Sequence, residues 1–340
     1  MNTRQLGART LLVVLANLVV IDVALRFFLP GLVHEAHIRA LKQDPGGLLV
    51  SAAQVARAPG PKVVFLGDSQ MYGSAVSDES LTIPGFYSRA LGPGVQVYNL
   101  GMRGYGPREV LYLADVLAGS GVDLVIYNLS LGWFDPHGSA PVPDVDHLLP
   151  LWGRPGSVVW DRVQRLPVLE RAKLAVRQNW MLLAHRHLLR QLLLSSVGLA
   201  DPFKSGGFEL LLPWYQRQFD ARVMPVFGRP VLESENPVLR ELEMAVERLT
   251  RSGTSVFVYV SPQNRAMYQH YTGWDQDAVE RSLLVVANSV AAAGGVFADY
   301  LELVEAEWFS DTIHLLAEGH RQVAARLLAD TGHLLPQGVP

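Results

Sequence analysis

Two short stretches at opposite ends of the 340-residue chain carry side chains suited to acyl chemistry. Near the N-terminal end, Gly67-Asp68-Ser69 follows the apolar run Val63-Val64-Phe65-Leu66. Far downstream, Asp311-Thr312-Ile313-His314 precedes a helical pattern over Ala317 to Leu328. A serine hydroxyl becomes a nucleophile only when a base removes its proton, and an imidazole fixed by a carboxylate is the common solution. The i,i+3 spacing lets one local turn present Asp311 and His314 together. Asp311 then fixes the tautomer of His314, whose other nitrogen takes the Ser69 proton. Each stretch is weak alone, because Gly-Asp-Ser is also an ordinary turn and Asp-x-x-His also a capped helix start. Their joint presence is the stronger signal.

The elements that must bring them together are legible in the apolar pattern. Val63 to Leu66 reads as a buried strand entering a tight turn, which predicts Ser69 at the start of a helix, where backbone N–H groups meet developing negative charge. Further strands are expected at Val95 to Tyr98, Leu124 to Tyr127, Ser255 to Val260 and Val296 to Ala298, with helices over Arg108 to Leu117, Leu239 to Arg251 and Ala278 to Ala292. Strands alternating with helices predict an α/β fold with a parallel sheet covered on both faces. Such sheets place their sites at the carboxyl ends of the strands, so a serine after the first strand and a histidine after the last are expected to meet.

With these motifs on the page, the chain resembles the SGNH/GDSL hydrolase family. The resemblance rests on Val64 to Ser69, on Asn99-Leu100-Gly101-Met102-Arg103-Gly104-Tyr105-Gly106 and on Ser310 to His314, over roughly residues 61–135 and 250–332. It implies a flavodoxin-like three-layer sandwich, a covalent acyl-Ser69 intermediate, and an oxyanion hole formed by the N–H groups of Ser69 and Gly101. No cofactor or metal is expected. One block departs from the family pattern, which places an Asn just beyond the third strand as a further oxyanion donor; that position falls at Gly132. Asn128 is the nearby asparagine and lies earlier, where it can still be inside the strand. Either Asn128 or Ser130 substitutes as donor, or the acceptor is bound in another way, or activity is low. Loss of one such donor typically costs about 3 kcal/mol of transition-state stabilisation. A shorter resemblance, carried by Val258 to Asn264 with Tyr268 and Tyr271-Thr272-Gly273, is to the extracytoplasmic proteins of teichoic-acid D-alanylation. Related exopolysaccharide O-acetyltransferases implied with it commonly act beside a membrane-bound O-acyltransferase. The function expected is thus that of a serine esterase or acyltransferase on a cell-envelope or exported polysaccharide. The alternative is an impaired relative that binds glycan or scaffolds a modification complex.

Composition narrows the field further. A net charge of −3 and the absence of any Lys/Arg run exclude a phosphate-gathering surface, so nucleic acid is not an expected partner. Without cysteine there is neither disulfide nor thiolate chemistry. Leu11 to Leu29 is largely apolar and follows Arg4 and Arg9, which predicts a membrane anchor over 1–30 with the N-terminus inside; the alternative is a buried soluble helix, which the ionisable Asp22 and Arg26 favour. Asp22 and Arg26 share a helical face near its outer end and resemble the endings of anchors on tethered relatives. No small-x-small cleavage site follows. The expected organisation is this anchor, a linker over 31–60, and a catalytic domain over 61–335 held in the periplasm or outside the cell by the inner membrane. A helical insertion is expected at about 136–236, with its main helix from Trp160 to Ser196.

Several single residues have more than one reading. Trp133, just past the third strand, is the candidate platform for a sugar ring, or else core packing. Arg103 and Arg108 flank the glycine block and are read as surface ion pairs, with contact to a substrate carboxylate as the second reading. His320 is expected on the outer face of the last helix, with a second base as the other reading. The pairs His34/His37 and His185/His187 lack a third metal ligand.

Overall fold

The computed structural model describes residues 13–14, 16–25, 51, 54–134, 164–180, 189–190, 193–194, 211–219, 232–271 and 273–336. The chain divides into two compact units, one formed by Met1–Val50 with Asp146–Lys204 and the other by Ser51–Val145 with Ser205–Pro340.

Among the described residues the second unit contains five strands, β1 (Lys62–Leu66), β2 (Gln96–Asn99), β3 (Leu124–Leu129), β4 (Ser255–Val260) and β5 (Val296–Asp299). All pair in parallel, in the order β2-β1-β3-β4-β5. This is the flavodoxin-like doubly wound order, with its switch point where the chain leaves β1 for β2 on one side and returns to β3 on the other. The strands agree with the apolar runs expected from the sequence, and Asn128 lies inside β3.

Seven helices of this unit carry labels: α1 (Ser69–Tyr72), α2 (Ile83–Leu91), α3 (Pro107–Leu117), α4 (Pro237–Arg251), α5 (Arg265–Tyr271), α6 (Gln276–Ala292) and α7 (Ala317–Thr331). Helices α2 and α7 pack together on one side, while α4 packs on both α3 and α6. Side chains alternate across each strand, so Val63, Phe65, Leu124, Ile126, Phe257 and Tyr259 enter one buried cluster with residues of α2 and α7. The hydroxyl of Tyr87 in α2 meets that of Thr331 in α7 at 2.7 Å. Caps set where the helices begin: Asn236 accepts from the N–H groups of Val238 and Leu239, and Asp275 from that of Ala278.

In the other unit, residues 16–25 are helical with Val19, Val20, Ile21 and Val23 exposed and Asp22 buried. No helix among the described residues is long and apolar enough to cross a membrane. Of the helix expected from Trp160 to Ser196, the part with printed bounds is Val168–Asn179. Most of the 31–60 linker and of the 136–236 insertion lies outside the described residues, as do Arg26, His34, His37, His185 and His187.

His320 corrects the sequence reading. It lies on the inner face of α7 and is only 1% exposed, rather than on the outside. Neither ring nitrogen has a side-chain partner, and burial, with the nearby charge of His314, pushes its pKa down to about 3 from the ordinary 6.5. The unfolded chain therefore binds a proton that the folded chain refuses between those values, and stability falls as pH drops below 6.5. Replacement by Gln removes this loss. Wild-type protein is expected to lose about 2 kcal/mol relative to His320→Gln between pH 7 and pH 5, read from urea midpoints at both pH values.

Candidate active site

The site grows out of the β1 turn. Leu66 pairs with Tyr127, so Asn128 is the residue of β3 that comes level with Gly67. Gly67 has φ +146°, and a Cβ there would lie 1.4 Å from Asn128 Oδ1. Only glycine lets the amide enter the turn. Once inside, Asn128 Oδ1 accepts from the Asp68 N–H at 3.2 Å, and its Nδ2 donates to Asp68 Oδ1 and to Ser261 Oγ, both at 3.0 Å. Asp68 Oδ1 also accepts from the Gln70 N–H at 2.9 Å and so caps α1. Gly73, at φ +86°, ends that helix after a single turn. Ser69 is its first residue, half-buried, with no acceptor for its N–H within the helix.

The other half of the site is a small closed loop ahead of α7. Phe309 and Leu315 form an antiparallel bridge, and the Ser310 N–H donates to His314 O at 2.8 Å. Asp311 Oδ1 accepts from the N–H groups of Ile313 and His314 at 2.9 and 2.8 Å. Its other oxygen meets His314 Nδ1 at 2.6 Å. His314 Nε2 lies 2.8 Å from Ser69 Oγ. The structure thus brings Ser69, Asp311 and His314 into one continuous hydrogen-bonded line.

Residues that the motifs did not single out hold the two halves in register. Gln70, next to the serine and 1% exposed, donates from Nε2 to Ile313 O at 2.7 Å and to Pro262 O at 3.2 Å. From the segment after β4, the Asn264 N–H donates to Thr312 O at 2.9 Å and its Nδ2 to Asp311 O at 3.3 Å. Gln70 directly follows the serine motif and Asn264 ends the stretch Val258 to Asn264, but residue type alone did not mark either as a brace.

The remaining expected residues fall as follows. Asn128 is 1% exposed and both hydrogens of its amide are already donated, so it has none for an oxyanion; the replacement-donor role does not fit its geometry. Gly132 is buried and its N–H donates to Ser130 Oγ at 3.3 Å. The Gly101 N–H donates to Asn99 Oδ1 at 3.0 Å, so an oxyanion must share or displace that acceptor. Asn99 is itself fixed, donating to Met71 O and Glu79 Oε1. Trp133 is half-buried with its ring against Gly106, where a Cβ would come within 3.0 Å of it. Arg108 pairs with Glu241 at 2.7 Å, as a surface ion pair would. No cluster of metal-binding side chains occurs among the described residues.

Electrostatics favour a base that is ready to be charged. Burial works against the His314 imidazolium, but Asp311, and then Asp68, outweigh it and hold its pKa above the ordinary 6.5; Arg103 acts in the opposite sense. Burial also works against the Asp311 carboxylate, yet the His314 charge and the donated hydrogen bonds keep its pKa low. Asp68 differs: burial dominates its four favourable interactions and raises its pKa. The arrangement can perform nucleophilic acyl transfer, with His314 taking the serine proton and passing it to the leaving alcohol.

No family model matches the chain, and no curated protein matches it. Among solved structures, the Mycobacterium smegmatis aryl esterase is 14% identical with TM-score 0.40, over 81% of this chain and 100% of its own. Est24, a carbohydrate acetylesterase from Sinorhizobium meliloti, is 12% identical with TM-score 0.42 over 81% and 99%. An extracellular lipase from Streptomyces rimosus is 13% identical with TM-score 0.41 over 80% and 99%. At these scores the likenesses decide neither fold nor activity.

Two outcomes follow from the geometry. Because neutral His314 is the base, turnover of an activated aryl ester should rise with pH through a value above 6.5. Asp311→Asn should move that limb to lower pH and reduce kcat by about 10⁴-fold, read from rate profiles between about pH 5 and 9. Asn128→Ala leaves the Asp68 carboxyl and N–H short of partners, and should cost on the order of 3 kcal/mol of stability in urea unfolding.

Proposed function

We propose that the chain is a serine esterase or acyltransferase that acts on acyl esters of a cell-envelope or exported polysaccharide through an acyl-Ser69 intermediate. The observation that carries this reading is the line of contacts from Asp311 Oδ2 through His314 to Ser69 Oγ, at 2.6 and 2.8 Å. Ser69 Oγ attacks the ester carbonyl as His314 Nε2 removes its proton. The N–H groups of Ser69 and Gly101 receive the oxyanion, Gly101 by exchanging its bond to Asn99. The alcohol then leaves with the proton from His314. Water completes a hydrolase cycle, and a sugar hydroxyl completes a transferase cycle. Trp133, half-buried with its ring against Gly106, is the stacking platform we assign to a sugar ring.

The setting we infer is the outer side of an inner membrane, with residues 1–30 as a single-pass anchor and a membrane-bound O-acyltransferase as a candidate acyl donor. Support for the anchor comes from the apolar run Leu11 to Leu29 and from the exposed valines and isoleucine of residues 16–25. The short resemblances to teichoic-acid D-alanylation and exopolysaccharide O-acetylation proteins make transfer a contender beside hydrolysis. A second reading, an impaired relative that binds glycan or scaffolds an envelope complex, is favoured by Gly132 at the position of the family Asn and by the engaged Gly101 N–H.

Labelling with a fluorophosphonate separates the two readings. An enzyme should be labelled in wild-type protein and not in Ser69→Ala; absence of Ser69-dependent labelling would sink the esterase reading. With an activated acyl donor and an oligosaccharide both supplied, acylated sugar marks a transferase and free acid a hydrolase.

A further inference from the structure

Arg103 lies in the loop after β2, between Gly101 and Gly106, and is half-buried. Its Nε donates to Ser74 Oγ at 3.0 Å, and its guanidinium carbon stands 5.0 Å from the centre of the Tyr72 ring. Tyr72 closes the single turn of helix that Ser69 begins, and Ser74 follows its Gly73 cap, so both partners of the guanidinium belong to the segment that carries the nucleophile. Both contacts fix the side chain without neutralising it. Among the described residues no carboxylate pairs with it; Glu79, also near Tyr72, accepts from Asn99 Nδ2 at 2.8 Å. Arg108, by contrast, is neutralised by Glu241.

This charge works against the triad's base, though less than the other influences on His314. Arg103 opposes charging of His314, the change that proton abstraction from Ser69 requires. A fixed cation there becomes useful when the substrate supplies an anion to meet it. We propose that Arg103 is a specificity-determining residue which selects acyl esters whose sugar portion carries a carboxylate near the scissile bond. A single planar guanidinium suits a singly charged carboxylate, with the donors of its outer nitrogens forming the fork. On binding, that carboxylate offsets the Arg103 charge and eases protonation of His314. Substrate recognition and base function are thereby linked. This inference rests on the esterase or acyltransferase reading above.

Turnover is compared for 4-acetoxybenzoate and methyl 4-acetoxybenzoate, which differ at the probe group by one charge. Wild-type protein should favour the anionic ester in kcat/KM by roughly ten- to hundredfold. Arg103→Gln should reduce that ratio to about one or below, and Arg103→Lys should keep part of it, since the charge remains while the fork is lost. Binding of trigalacturonate and of cellotriose to Ser69→Ala protein, measured by calorimetry at low salt, reads the same selection without catalysis. Tighter binding of trigalacturonate that disappears in Ser69→Ala/Arg103→Gln supports the proposal. Equal binding of the two sugars, or a preference that survives Arg103→Gln, overturns it. Failure of the esterase reading is recognised separately, as absence of Ser69-dependent fluorophosphonate labelling.

Discussion

The site depends on one buried amide. Asn128 reaches from β3 into the turn after β1 and engages both the N–H and the carboxylate of Asp68, while its second hydrogen ties the turn to Ser261 after β4. Three parallel strands are thereby joined at their carboxyl ends through one side chain. A buried carboxylate is expensive unless hydrogen-bonded, and Asp68 remains a raised acid even with these partners. The cost is offset by what the charge does locally. It caps the turn that starts at Ser69 and helps hold His314 ready for protonation.

Rigidity on the histidine side has a different origin. The Asp311–His314 loop lies outside the sheet and takes its shape from its own bridge between Phe309 and Leu315 and from two external braces, Gln70 and Asn264. Gln70 is the more telling of the two, because it adjoins the nucleophile and binds the carbonyl preceding His314. Base and nucleophile therefore share a support, so displacement of one carries the other. Preorganisation of this kind lets a short hydrogen bond persist before substrate arrives.

The anion-stabilising side of the site is less open than the triad. Gly101 and Gly132 both direct their N–H groups at side-chain oxygens, those of Asn99 and Ser130. A charge-developing carbonyl oxygen is a stronger acceptor than a neutral amide and can take over such a bond, though part of the gain is spent in the exchange. With Asn128 committed to Asp68, the Ser69 N–H is the donor whose access does not require displacing a side chain inside the helix.

By itself, the sequence determined the strand and helix order and the two motifs. Continuous apolar runs such as Val63 to Leu66 mark buried parallel strands, and the chain order of Ser69 and His314 forces them to the same sheet edge once the sheet is doubly wound. Local pattern failed where a residue's role depends on what packs against it. Asn128 has an oxyanion donor's residue type, but the β1–β3 register sets it level with Gly67 and turns its amide inward. His320 reads from the sequence as an outer-face residue of the last helix, yet it is buried in the folded chain. Only tertiary structure decided these cases. A hydrogen bond between residues 60 positions apart, or the inward face of a helix, is set by strand register and packing rather than by neighbours in the chain.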